Sequence, residues 1–271
     1  MSRNHKLTLM VGLLALVIAT PGCIINRLRA KDSLNEGVRE FNKGKFELAQ
    51  EKFQRALDLS PDLTNAQFFY ARAVNARFDQ SLTEDLGMKT LEAYDNLIKN
   101  NPNNHELIDQ SLALKANVYD QLTRVNNDKA EEFKQKQREM LLARAELPSA
   151  SNKTKADVFY TLGVGYWKAS YDLGYPYVSR KQPIPLEVVE KMKPLIRQAH
   201  EYLQKTISVQ PDYSNAYFYE KLVYIEDTKV ESNKARLNEL NAKINEMQDK
   251  YLQLQKQQQQ QASQGEPSAS Q

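Results

Sequence analysis

Apolar residues along this chain fall into two regimes. Leu7 to Ala19 is a run of thirteen interrupted only by Thr8 and Gly12. Beyond about residue 30 the apolar side chains recur at intervals of three and four, the period of an amphipathic helix, and no stretch alternates as a half-buried strand does. Turn signals cut the periodic part into pieces. They predict helices over Ser33–Asn42 and Phe46–Leu59, closed by Pro61, which cannot continue a helix. Further helices are predicted from Thr64, over Gly87–Lys99 up to Asn101-Pro102-Asn103, and over Glu106–Val125, where Asn126-Asn127-Asp128 makes the turn into a helix ending at Leu147. The fourth predicted pair starts at Ala156 and covers Val188–Val209, and a fifth unit opens at Pro211. Ser33 and Glu36 have the spacing of a capping box and so predict a helix start.

The chain repeats itself. Pro211-Asp212-Tyr213-Ser214-Asn215-Ala216-Tyr217-Phe218-Tyr219 echoes Pro61-Asp62-Leu63-Thr64-Asn65-Ala66-Gln67-Phe68-Phe69. Between Gly37 and Pro61, the residues Gly37, Ala49, Phe53, Ala56 and Pro61 fall at positions 8, 20, 24, 27 and 32 of a unit counted from Ala30, and Leu162, Gly163 and Tyr166 at 7, 8 and 11 of one counted from Ala156. This pattern resembles the tetratricopeptide repeat (TPR), a helix–turn–helix unit of about 34 residues that must stack with others to bury its apolar face. The resemblance implies an all-α fold: a right-handed superhelical stack of antiparallel helix pairs, four to five hairpins long, over residues 23–231. Two stretches are too long for the unit, near 79–86 and near 171–187. The first is read as either a lengthened helix pair or a surface loop. The second holds Tyr171, Tyr175 and Tyr177 with Pro176, Pro183 and Pro185, and is read as an ordered loop or extended arm.

Past Asn233 the composition turns to charge and glutamine. Leu237, Leu240, Ile244, Met247, Tyr251 and Leu254 form a heptad seam in a long helix over 232–256, either a cap on the last pair or a coiled-coil contact to a second copy. Residues 257–271 are glutamine-rich and of low complexity, and are expected to be disordered.

Charge and chemistry narrow the function. The 37 basic and 34 acidic residues leave a formal net charge of +3, spread along the chain, so no strong field favours nucleic acid. One cysteine excludes an intramolecular disulfide and a cysteine-built zinc site. His5, His105 and His200 have no metal-ligand or nucleophile partner at usable sequence spacing, which points away from an enzyme and from any cofactor.

The N-terminus reads as a targeting segment over residues 1–22. Arg3 and Lys6 precede the apolar run, which ends Thr20-Pro21-Gly22-Cys23. That ending resembles a bacterial lipoprotein box, and the resemblance implies lipidation at Cys23. Two alternatives stand beside it: an uncleaved anchor helix extending through Ile25, and an ordinary cleaved signal. The expected location is the cell envelope, anchored to a membrane and facing the periplasm or exterior.

The resemblance further implies a concave groove lined by the first helix of each pair. It would place there Phe41 and Asn42 beside Leu34 and Val38; Asn65, Phe68, Arg72 and Asn75; Tyr160, Trp167 and Lys168 beside Val164; and Asn215 and Phe218 beside Leu222. Aromatic rings joined by Asn and Arg suit an extended peptide or a helix. The function expected is therefore a membrane-anchored, non-enzymatic protein-binding scaffold, with a self-associating structural protein built on 232–256 as the alternative.

Overall fold

The computed structural model describes residues 24–264, and side chains up to residue 261. The signal and lipidation expectations for 1–23 and the last part of the tail, 265–271, lie outside the described residues. Among the described residues ten α-helices follow one another: α1 (24–42), α2 (Phe46–Leu59), α3 (Thr64–Ser81), α4 (Glu84–Asn100), α5 (His105–Val125), α6 (Ala130–Glu146), α7 (Asn152–Val178), α8 (Leu186–Val209), α9 (Ser214–Val230) and α10 (Lys234–Gln264). A 3-10 turn, Asn127–Lys129, precedes α6, and there is no strand among the described residues. The fold is all-α, with sequence neighbours packed as antiparallel hairpins. The chain divides into two compact units, one ending at Met140 and one beginning at Leu141.

In the first unit, close packing starts from one glycine. A Cβ on Gly37 would sit 2.4 Å from Cε1 of the fully buried Phe53, so α1 and α2 touch only because position 37 carries no side chain. Phe53 stacks on Phe69 of α3 (5.6 Å between centroids), while Ala49, Ala56, Ala66 and Ala73 let the backbones approach. The α1–α2 turn needs a left-handed residue, which Gly44 supplies at φ 74°. Polar side chains brace the open end of the α3–α4 hairpin: Thr64 Oγ1 donates to Asn101 Oδ1 (2.7 Å), and Asn101 donates in turn to Gln67 Oε1 (2.8 Å). Asn126 and Lys129, at the α5–α6 turn, both reach the Glu84 carboxylate at the start of α4.

One expectation for this unit is corrected, and one left open between two forms takes the first of them. Helix α1 does not begin at Ser33 but is already helical at residue 24, which makes Ser33 a buried interior position rather than a cap. Upstream lie Leu28, Arg29, Ala30 and Lys31, all good helix formers, and once the hairpin holds the later turns, extension costs no new nucleus. The surplus near 79–86 lengthens both helices to 18 and 17 residues against 14 for α2, leaving only Leu82 and Thr83 between them.

The second unit repeats the same logic. A Cβ on Gly163 would meet Cγ of the fully buried Leu203 at 2.7 Å, the counterpart of the Gly37–Phe53 contact. Here the loop reading of 171–187 is overturned in its first half, because α7 continues through Tyr171–Val178 with Pro176 inside it. Leu173, Gly174 and Tyr177 pack on α8, where Gly174 closes against Met192, and this burial outweighs the single backbone bond that Pro176 removes near the helix end. Only 179–185 remain irregular.

The seam of α10 lies along α9. Leu240 and Leu254 are buried, Tyr251 meets Phe218 at 5.3 Å, and Lys221 and Ser214 of α9 bond Gln248 and Gln255. This is the capping arrangement. Residues 257–264 are helical rather than disordered: glutamine is a good helix former and the packed stretch before it supplies the nucleus.

Candidate functional site

The second unit carries a continuous line of aromatic rings. Tyr160, Trp167, Tyr171 and Tyr175 recur on α7 at steps of seven, four and four, which puts them on one face. Tyr213 and Tyr219, at the start of α9, interleave with them. The centroid separations run Tyr213–Tyr160 5.0 Å, Tyr160–Tyr219 5.6 Å, Tyr219–Trp167 5.1 Å, Trp167–Tyr171 5.5 Å and Tyr171–Tyr175 5.2 Å. The pairs are tilted, edge-to-face or stacked, geometries that suit the ring quadrupoles. Exposure rises along the line: Tyr160, Trp167 and Tyr171 are half-buried and Tyr175 is 51% exposed. Lys229 sits over the Tyr171 ring at 5.3 Å, and Lys168 pairs with Asp172 on the same helix at 2.7 Å.

Two phenols of the line are held in the neutral form. Burial, with Tyr219 and Tyr213 nearby, pushes the Tyr160 phenol up to about 12. Burial and the Asp157 carboxylate, which accepts from the Tyr213 hydroxyl at 3.2 Å, do the same for Tyr213. The Trp167 indole nitrogen is buried and bonds no protein atom.

The other groove residues of this unit stand nearby in the chain but differ in freedom. Asn215 is exposed in the first turn of α9, whereas Phe218 is already engaged by Tyr251 and by Lys221, whose Nζ lies 4.4 Å from its centroid. In the first unit the expected residues do not assemble into a comparable face. Leu34, Val38 and Phe41 belong to the core of the first hairpin, Phe41 meeting Phe46 at 5.1 Å. Asn75 is buried, accepting from Tyr94 Oη (3.1 Å) and donating to Asp79 (3.0 Å). Phe68 packs beside Phe69, Arg72 is half-buried, and Asn42 and Asn65 are exposed at helix ends. The opposite side of α3 borders a cleft of 580 Å³ between α2 and α4, lined by Gln50, Tyr70, Val74, Arg77 and Asn96 among others.

Sequence reasoning missed one cluster. His200 of α8 bonds Glu220 Oε1 from Nδ1 (2.7 Å) and Asp227 Oδ2 from Nε2 (2.8 Å), both on α9. Bonding two carboxylates requires protons on both nitrogens, hence an imidazolium. Burial alone would lower its pKa, but the two hydrogen bonds and the two charges outweigh that and raise it to about 9. The partners stand 20 and 27 residues away, so local motif spacing holds no trace of them; only the seven-residue step between Glu220 and Asp227 hints that they share a face. Nearby on α9, Glu226 pairs with Lys229 at 2.6 Å, and burial pushes its carboxyl up.

Among the described residues no group of three or more His, Cys, Asp and Glu is placed to hold a metal ion, and no helix is long and apolar enough to cross a membrane. No family model matches the chain, and no curated protein matches it significantly. Among solved structures, a "MamA protein" is similar with a TM-score of 0.49 at 16% identity, covering 86% of this chain and 94% of its own. "YrrB: a TPR protein with an unusual peptide-binding site" gives 0.42 at 12% identity, covering 82% and 84%. A monomeric IFIT1 mutant with Gppp-AAAA gives 0.34 at 17% identity, covering 82% of this chain and 50% of that one.

Proposed function

We propose that this chain is a non-enzymatic protein-binding scaffold whose second unit receives an extended peptide or a helix on the aromatic face of α7 and α9. The observation that carries the reading is the uninterrupted ring line from Tyr213 to Tyr175, which gains exposure toward Tyr175. Tyr and Trp give large contact areas at a small cost in side-chain entropy, and both are over-represented among the residues that dominate interface energies. The tyrosine hydroxyls can donate to a partner's backbone carbonyls.

We place this scaffold at a membrane of the cell envelope, held through its N-terminal segment, either by lipid on Cys23 or by an anchor helix. The support is the sequence pattern from Arg3 to Cys23. Labelling with a palmitate analogue should mark the wild type and miss Cys23→Ser; equal labelling of both refutes lipidation there. The self-associating alternative has lost its main support, because Leu240, Tyr251 and Leu254 are engaged within the chain.

The direct test is selection from a displayed random-peptide library on the wild-type chain. Enriched peptides should lose about tenfold to several hundredfold in affinity for Trp167→Ala or Tyr171→Ala, the range of one to two interface hot spots. Peptides that bind both variants as tightly as the wild type would refute this face as the site.

A further inference from the structure

The first two turns of α1 expose an apolar stripe that the hairpin does not use. Ile24 is 62%, Ile25 47% and Leu28 58% exposed, values at odds with the buried Ala30, Ser33, Leu34 and Gly37 further along the same helix. At about 3.6 residues per turn, Ile24, Ile25 and Leu28 cover roughly 100° of surface, diametrically opposite the face that packs on α2. Arg27 and Lys31 border the stripe on one side and Arg29 on the other. None of the three takes part in an ion pair among the described residues. Arg27 acts weakly on Asp62, whose carboxyl is lowered mainly by the Ser60 hydroxyl it accepts from, with Arg27 adding the least. Asp32, one turn beyond Leu28, ends the stripe.

From this arrangement we infer that the start of α1 is a lipid-contact site for an anionic membrane surface, with Ile24, Ile25 and Leu28 seated among the acyl chains and Arg27, Arg29 and Lys31 on headgroup phosphates. An apolar stripe bordered by Lys and Arg is the pattern of a helix lying in the membrane interface, where apolar side chains penetrate about 5–10 Å. Each basic residue near an anionic surface adds attraction that salt screens. The apolar run Leu7–Ala19 ends a few residues before this turn, which places the turn at whatever surface the run enters. Because α1 is one helix from residue 24 to 42 and is locked to α2 through Gly37, the contact also orients the first unit on the surface. The inference rests on the membrane-held reading above.

The test uses the full chain as Cys23→Ser with Leu28→Cys, carrying an environment-sensitive fluorophore at position 28, and a control labelled through Leu82→Cys in the exposed α3–α4 loop. On vesicles of phosphatidylglycerol and phosphatidylcholine in equal parts, emission from position 28 should shift to the blue. The shift should disappear on pure phosphatidylcholine, in high salt, and in the triple Gln variant of Arg27, Arg29 and Lys31, while position 82 stays unshifted. A chain that binds vesicles but keeps position 28 in water overturns this inference alone; a chain that does not associate with vesicles overturns this inference and the anchor-helix form of the membrane-held reading, while the lipid form is decided by the Cys23 labelling above. A shift already present without vesicles, or indifferent to lipid charge, assigns the stripe to another part of the protein, to a second copy or to uncharged lipid, and also overturns it.

Discussion

At the residue scale two glycines of opposite character test the packing account. Gly37→Ala drives a Cβ to within 2.4 Å of the Phe53 ring, which is fully buried and has nowhere to turn. Overpacking of this kind costs about 1–3 kcal/mol, more than the helix propensity that alanine returns, so the denaturant midpoint should fall. Gly165 would have no atom within 4 Å of an added methyl, and Gly165→Ala should raise stability by about 0.5–1 kcal/mol, read as a higher midpoint. His200 makes a third residue-scale case. Its pKa rises from an ordinary value near 6.5 to about 9 in the folded chain, so the folded state holds the extra proton between those values. The stabilisation is therefore complete below about pH 6.5 and is lost as pH rises through about 9. Removing the ring strands Glu220, which is 1% exposed, beside Asp227, and His200→Ala should cost about 3 kcal/mol at neutral pH. Equilibrium unfolding from pH 6 to 10 should show the wild type losing more stability than His200→Ala; parallel curves would refute the ion-pair assignment.

At the element scale α10 offers the cleanest contrast. Leu240 is buried against α9 and Leu252 is 44% exposed, so Leu240→Ala should lose about 2–4 kcal/mol while Leu252→Ala stays within about 0.5 kcal/mol. If the seam served a second copy instead, Leu240→Ala would change the mass in solution and leave unimolecular stability alone. Elements of this kind were legible in the sequence because their cause is local. Prolines 61, 102 and 211, the Asn126 turn and the three-four spacing each act within one helix or turn, and the glycine-to-large pairing of Gly37 with Phe53 and Gly163 with Leu203 repeats. What was not legible depends on tertiary contact. Tyr171 to Val178 read as a loop because Pro176 and its tyrosines disfavour a helix locally, and only packing of Leu173, Gly174 and Tyr177 on α8 reverses that. The Ser33–Glu36 pair has the spacing of a cap, but the helix starts earlier, so the same two residues serve as interior positions.

At the scale of the whole molecule the two units use one packing rule for different ends. The first turns its expected groove aromatics inward: Phe41 and Phe68 pack against core clusters, and Asn75 is taken up by Tyr94 and Asp79. The second keeps a line of rings half-open from Tyr160 to Tyr175. Trp167 and Tyr160 were legible from repeat register, whereas the part played by Tyr171, Tyr175 and Tyr219 follows from the unforeseen length of α7 and from α9 bringing Tyr219 between two α7 residues. The chain has a single tryptophan, and it lies in the middle of that line. Titrating a library-selected peptide into the wild-type chain while following Trp167 emission is therefore the most direct measurement. A saturable change that vanishes in Tyr171→Ala and survives in Phe68→Ala is the predicted result; peptide binding proved by an independent signal with Trp167 emission unaltered would contradict the assignment of the α7–α9 face.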